Sequence, residues 1–317
     1  MSNDFMKAAK TYGPMAAALV VLLVAFRLEI GETFWDPDNL VDLTQQIAVN
    51  GILALGMTLV ILAGGIDLSV GATAALTGAA SIWLLVKTKN PAIAVAGGVA
   101  LGGVCGVVNG ILAAKVRLPA FIVTLATQQV ARGLAFRWTG GNPLRAPDGQ
   151  EWFAWLGSGR WLGIPVASWC LFGCFALGVV LLHRLRFGQH LYAVGGNREA
   201  ARYTGIPVVR VEAAAYIWCG LFAGVAGVIM AAQLMSIEAK AGEGYELNAI
   251  AAAAVGGVSL SGGVGAMGGT LLGAAIIGVL NKGLNQAEVH FSWQYVMKGL
   301  VILAAVYFDS LRRRRNR

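Results

Sequence analysis

Apolar runs recur along the whole chain, at about 14–26, 47–64, 68–86, 92–114, 119–138, 164–182, 211–234, 248–262, 264–284 and 293–308. A helix crosses a bilayer with roughly 20 apolar residues. Ten runs of about that length leave little chain for anything else. Across the 317 residues 57% are hydrophobic and only 13% are charged, where an average soluble domain carries about 25% charged residues. A soluble fold of this size has no interior large enough to hide so much apolar surface. Disorder fails for the same reason, because disordered chains are poor in apolar residues. The expectation is an all-α polytopic membrane protein, one transmembrane domain over 1–317, with about ten crossings. The run at 248–262 is short, and a break at 64–71 would lower the count to eight or nine.

Lys and Arg in the loops set the orientation. With the N-terminus inside, the inner side holds the N-tail, 115–118, 183–210 and the C-tail, and so carries 14 of the 24 Lys and Arg. The outer loops carry 6 of them and 11 of the 16 acids. Both termini are therefore expected in the cytoplasm. Lys87 and Lys89 run against this split, and nothing in the sequence explains them. The first run follows Lys7 and Lys10 like a signal peptide, but Arg27-Leu28-Glu29-Ile30 follows it in place of a small-residue cleavage site, so it reads as an uncleaved span. Asp38 to Gln46 reads as a short interfacial helix before the second run. The run Arg312–Arg315 with Arg317 reads as an inner anchor that touches anionic lipid. The net charge of +8 is no sign of nucleic-acid binding, because the basic residues cap apolar runs and form no stripe.

Several motifs invite chemistry and fail it. Cys105, Cys170, Cys174 and Cys219 lie inside apolar runs and form no CxxC pair, which removes metal and disulfide frameworks. Gly263-Val264-Gly265-Ala266-Met267-Gly268 matches GxGxxG, yet it lacks the preceding soluble strand and the later acid of a dinucleotide site. No GxxxxGK[ST] loop is present. Gly98, Gly102, Gly106 and Gly110 recur every four residues, as do Gly265, Gly269 and Gly273. That spacing puts each set on one helix face, where a neighbouring backbone approaches closely.

Two segments share the pattern GGxxLSxG, Gly64–Gly71 and Gly256–Gly263. Glycine pairs interrupt a membrane helix, and matching interruptions in two halves of a carrier point to its substrate route. Coincidence in a chain with 43 glycines is the competing reading. Asp67 sits in the first segment. A charge at mid-membrane costs about 2.5–3.5 kcal/mol, so Asp67 needs a partner or opens the following helix as its N-cap. Arg132 and Lys282 are candidates for internal pairing, whereas Arg137 and Lys298 can snorkel. In the long inner loop 183–210, Asn197 is a good N-cap, Gly205 a good stop and Pro207 a barrier to continuation. The spacing predicts a two-turn polar helix, too short to be stable alone, with Ala200 and Ala201 as a small face that enters a groove.

Taken together, Asn50-Gly51-Ile52-Leu53-Ala54-Leu55-Gly56, Gly64–Gly71, Pro119-Ala120-Phe121-Ile122-Val123-Thr124-Leu125, Phe187-Gly188, Ala193–Asn197 with Ala200-Ala201 and Gly205-Ile206, and Val255–Gly273 resemble the permease subunits of sugar-type ABC importers, the ribose/xylose/autoinducer-2 branch. The likeness runs from about 34 to 309. It implies a bacterial inner-membrane permease that pairs with a second permease, equal or different, with two cytosolic ATP-binding-cassette subunits and with an external solute-binding protein. ATP and Mg would bind those ATPase subunits, so no cofactor is expected in this chain. The resemblance makes the segment Asn197–Gly205 the coupling helix that docks on the ATPase. A sugar route needs hydroxyls and amides, which nominates Asn50, Asp67, Ser69, Asn109, Ser259 and Ser261. Lys282 departs from the polar uncharged residue common in relatives. The outer loop 151–161 departs too, with Trp152, Trp155 and Trp161 as a membrane anchor or a contact for the binding protein. A stand-alone secondary carrier would need coupling-ion ligands that are not evident beyond Asp67. A membrane enzyme would need a nucleophile and base or a metal cluster.

Overall fold

A computed structural model describes residues 2–315; Arg317, the last of the basic tail, lies outside the described residues. The chain is helical almost throughout. Its elements are α1 (Ser2–Ile30), a 3-10 turn (Glu32–Trp35), α2 (Pro37–Leu62), α3 (Val70–Thr88), α4 (Pro91–Gly110) with a π-helical overhang (Ile111–Lys115), α5 (Ala120–Thr139) and α6 (Glu151–Ser158). Then come α7 (Val166–His183), α8 (Arg186–Gly196), α9 (Arg198–Tyr203), α10 (Val208–Leu234), α11 (Tyr245–Val255), α12 (Met267–Gln286) and α13 (Phe291–Arg315). Two small antiparallel pairs lie between helices: β1 (Leu144–Arg145) with β4 (Ser236–Ile237), and β2 (Arg160–Trp161) with β3 (Ile164–Pro165).

Among the described residues seven helices are long and apolar enough to cross a membrane: α2, α3, α7, α10, α12, the Tyr12–Ile30 part of α1, and α4 with its overhang. The 20-residue α5 falls outside that group because it carries Gln128, Gln129, Arg132 and Arg137. The expected run at 248–262 is an 11-residue helix, α11, followed by a turn. At 1.5 Å per residue it reaches only about half-way across. The expected interfacial helix at Asp38–Gln46 is also different: it is the first part of α2. Asp36 accepts the Asp38 N–H at 3.0 Å and Pro37 occupies the first helical position. A good cap and a preset φ let the helix start early and run through.

Two helices organise the bundle. From Ala48 to Leu62 every residue of α2 is buried, as expected for a helix apolar on all sides, and α7, α10, α11 and α12 surround it. The other hub, α10, packs on α2, α3, α4 and α6. Its contact with α4 is the predicted glycine ridge. A Cβ at Gly102 would lie 2.8 Å from Gly224 Cα, and one at Gly106 would lie 2.8 Å from Ile217 Cα. Backbone therefore meets backbone, and dispersion replaces the hydrophobic drive that lipid does not supply. The second ridge is shorter than its spacing suggests. Gly269 and Gly273 in α12 press on Gly256 and Ala252 at the end of α11, but Gly265 precedes α12 in the turn and faces Val258.

Cross-links between helices are few and polar. The Thr58 and Thr270 hydroxyls join α2 to α12 at 2.7 Å. Asn39 and Gln286 exchange two amide hydrogen bonds near the other ends of these helices. Both cations expected to pair internally do so. Arg132 donates to the carbonyls of Ala239 and Ala241 at 2.6 and 2.7 Å, and Lys282 lies 3.5 Å from Asp42. The short α6 seats Phe153 and Gly157 against the end of α10 and leaves Trp152 and Trp155 exposed.

Candidate functional site

The two GGxxLSxG segments are the turns that join α2 to α3 and α11 to α12. In the first, Asp67 is 2% exposed. It is not the cap residue of α3; Ser69 is. Asp67 Oδ1 accepts the Ser69 N–H at 2.9 Å and the Ser69 hydroxyl at 2.6 Å. The Asn109 amide, from α4, donates to Ser69 Oγ at 2.9 Å and reaches both Asp67 oxygens at 3.3–3.4 Å. Thr127 of α5 donates to Asn109 Oδ1 at 2.6 Å, and Thr124 donates to the Ile66 carbonyl at 3.3 Å. Among the described residues the carboxylate thus has donors around it and no ion-pair partner. Hydrogen bonds to a charged group contribute about 1.5–3 kcal/mol each; they offset part of the cost of burying this side chain, and the set ties the start of α3 to α4 and α5.

The second turn is closed by the Ser259 N–H donating to the Val264 carbonyl at 2.8 Å. Ser259 is buried and Ser261 exposed. Asn50 lies apart from both turns on α2. Its amide donates to Gln46 O at 3.3 Å, and its buried Oδ1 has no hydrogen-bond partner. Of the six nominated route residues the structure thus brings Asp67, Ser69 and Asn109 into one cluster. Ser259 and Ser261 lie on the other turn.

The loop helix forms where its caps place it. Asn197 Oδ1 accepts the Ala200 N–H at 2.9 Å and α9 spans Arg198–Tyr203. Gly205 follows with φ +83°, a conformation that favours glycine. Ala200 and Ala201 do not share a face: Ala200 is exposed, while Ala201 is 4% exposed and turned into the protein. Arg198 holds α9 to α10 through a bidentate pair with Glu212, at 2.6 and 3.1 Å. That hydrogen-bonded carboxylate raises the guanidinium pKa further above its ordinary value.

These parts meet at one end of the bundle. The N–H of Gly263 in the second turn donates to the carbonyl of Leu62 at the end of α2, at 3.0 Å. A Cβ at Gly262 would lie 3.0 Å from both Gly64 Cα and the Gly195 carbonyl, so the two turns and the end of α8 touch through backbone. Beside them a cleft of about 220 Å³ is lined by Gly64, Gly65, Arg117, Arg198, Glu212 and Tyr216. Thr127, Tyr192, Gly195 and Tyr216 were not among the residues nominated from sequence. For Thr127 there was a signal, since a buried Asn109 in an apolar run requires a partner; for the others there was none. Among the described residues no group of three or more His, Cys, Asp or Glu side chains could hold a metal ion.

Comparison with known proteins places this arrangement. The profile of a family described as "Branched-chain amino acid transport system / permease component" matches residues 39–306. The ribose import permease protein RbsC of Escherichia coli is 43% identical over 92% of this chain and 91% of its own length. RbsC of Bacillus subtilis is 44% identical over 94% of this chain and 92% of its own. An L-arabinose ABC transporter permease protein, AraH, of Azospirillum brasilense is 37% identical over 94% of this chain and 87% of its own. No solved structure matches the chain. The profile match and these relatives together cover nearly all the helices, both turns and the α8–α9 segment, and the chain belongs to this family of multi-pass, inner-membrane transport permeases.

Proposed function

We propose that this chain forms the gated pathway of an ATP-driven importer for a monosaccharide, most simply a pentose. The observation that carries the reading is α9. It is capped by its own Asn197 and pinned to α10 by the Arg198–Glu212 pair, and α8 leads into it from the junction of the two turns. A six-residue polar helix has no stability of its own, so a bundle that holds one in place presents it to a partner. In this reading the partners are two cytosolic ATPase subunits, which bind ATP and Mg, together with a second permease and an external solute-binding protein. The cycle is a change between outward-open and inward-open states, biased by nucleotide in the partner. No bond is made or broken in this chain.

The solute class rests on the ribose and arabinose permeases among the relatives, against a family description that names branched-chain amino acids. The relatives carry more weight, because their identity of 37–44% extends over nearly the whole chain. Within the route, Asn50, Ser259 and Ser261 offer groups to sugar hydroxyls, while Asp67, Ser69 and Asn109 fix the wall beside them.

The test is uptake by proteoliposomes that hold the chain with its ATPase subunits, supplied with the binding protein. Ribose uptake is expected only with all components and ATP. Uphill uptake by the chain alone would make it a secondary carrier, and uptake of leucine in place of ribose or arabinose would move it to the amino-acid branch. Unchanged ribose uptake after Ser259→Ala with Ser261→Ala removes those two residues from the route.

A further inference from the structure

Where α8 ends, the chain passes through a backbone crossing that the route and α9 share. We propose that Gly195 is a positioning residue for coupling: it is the point at which displacement of α9 is handed to both turns at once. This rests on the importer reading above and adds the residue through which the work passes.

Three contacts carry the inference. A Cβ at Gly195 would collide with the Leu62 carbonyl, which closes α2 and opens the first turn, and would press on the N–H of Gly263 in the second. That same N–H donates to that same carbonyl at 3.0 Å. Gly195 therefore packs against a hydrogen bond that already joins the two turns. Three residues upstream, the Tyr192 hydroxyl donates to the Gly265 carbonyl at 2.8 Å and fixes α8 to the second turn again. Downstream, Asn197 accepts its cap bond within α9. Only one residue, Gly196, separates the crossing from the cap at Asn197, so α9 cannot shift far without moving the crossing. The groups of Gly195, Leu62 and Gly263 that meet here are backbone atoms in tight packing, which deforms little and so transmits displacement.

The neighbour supplies a control. Gly196 has nothing within 4 Å of the place a Cβ would occupy. Two adjacent glycines in one motif thus differ in the contact that matters.

The experiment uses the whole importer, reconstituted with its ATPase subunits and binding protein, and reads ribose imported per ATP hydrolysed. Wild-type protein must couple first; if it does not, the importer reading fails and Gly195 is not at issue. Gly195→Ala is expected to lower ribose imported per ATP at least tenfold, with subunit assembly and basal ATP hydrolysis retained. Gly196→Ala is expected to stay within twofold of wild type. Tyr192→Phe keeps the ring and removes one bond to the second turn, and is expected to lower the ratio about threefold. Equal ratios for Gly195→Ala and Gly196→Ala overturn the proposal. Should Gly195→Ala fail to assemble, the Tyr192→Phe ratio decides: a wild-type value overturns the proposal and a reduced one supports it.

Discussion

At Asp67 an isolated acid in an apolar run reads from sequence as a paired charge, a route residue or a cap. The side chain is the acceptor for the Ser69 N–H and hydroxyl and for the Asn109 amide. Its removal therefore tests a structural role apart from transport. Asp67→Ala leaves the Ser69 N–H and hydroxyl without their acceptor, while the Asn109 amide keeps its bond to Ser69 Oγ. A buried donor left unmet costs about 1–3 kcal/mol, so a loss of about 2–3 kcal/mol is expected, partly offset where the Ser69 hydroxyl re-aims. Asp67→Asn keeps one acceptor oxygen and turns an amide toward Asn109, and is expected to lose about 1 kcal/mol. Denaturant unfolding of the purified protein, followed by circular dichroism, measures both. An Asp67→Ala protein as stable as the parent contradicts the lock.

Helices differ in what their exposed and buried faces tolerate, and α4, α5 and α9 offer matched pairs. Gly106→Ala drives a methyl into the backbone of α10, whereas Gly133 in α5 has nothing within 4 Å. Overpacking costs about 1–3 kcal/mol; Gly133→Ala is expected to be neutral or slightly stabilising, by at most about 1 kcal/mol. The same unfolding assay compares them, and equal losses would mean that the ridge does not press on α10. On α9, Ala200→Trp stays outside and is expected to cut ATP-driven uptake at least tenfold with stability unchanged. Ala201→Trp points inward and is expected to destabilise the protein itself. Wild-type uptake in Ala200→Trp would remove α9 from the contact with the ATPase. The caps of α9, the α4 ridge and the internal pairing of Arg132 were legible in the sequence, because each follows from spacing within one segment or from the cost of a bare charge. The meeting of Gly195 with residues 62 and 263 was not. Such contacts depend on how distant helices pack, and a glycine without a side chain leaves no mark of its partner. The short α11 was half legible: the run was visibly brief, but its end in a turn docked on α2 is a tertiary fact.

At the scale of the whole molecule, the loop charges orient the bundle in the membrane. The turns at 63–69 and 256–266 and the α8–α9 segment gather at one end of the bundle, while α6 and the hairpin of β2 with β3 lie in the connection between α5 and α7. If 14 of the 24 Lys and Arg mark the cytoplasmic side, the gathered end faces the cytoplasm and the tryptophan-bearing α6 faces outward. Single cysteines can read this directly. Tyr203 at the end of α9 is 88% exposed and Leu162 at the hairpin tip is 76% exposed. The native background is low, since Cys174 and Cys219 are buried and Cys105 and Cys170 are half-buried in helices. In intact cells a membrane-impermeant maleimide is expected to label Leu162→Cys and not Tyr203→Cys. After the membrane is opened, Tyr203→Cys is expected to label as well, with the parent protein unlabelled throughout. The opposite pattern would put α9 on the outer side, out of reach of any cytosolic ATPase, and the coupling reading would fall with it. Labelling of both sites in intact cells would mean that the chain does not separate the two faces of the membrane as its charge distribution requires.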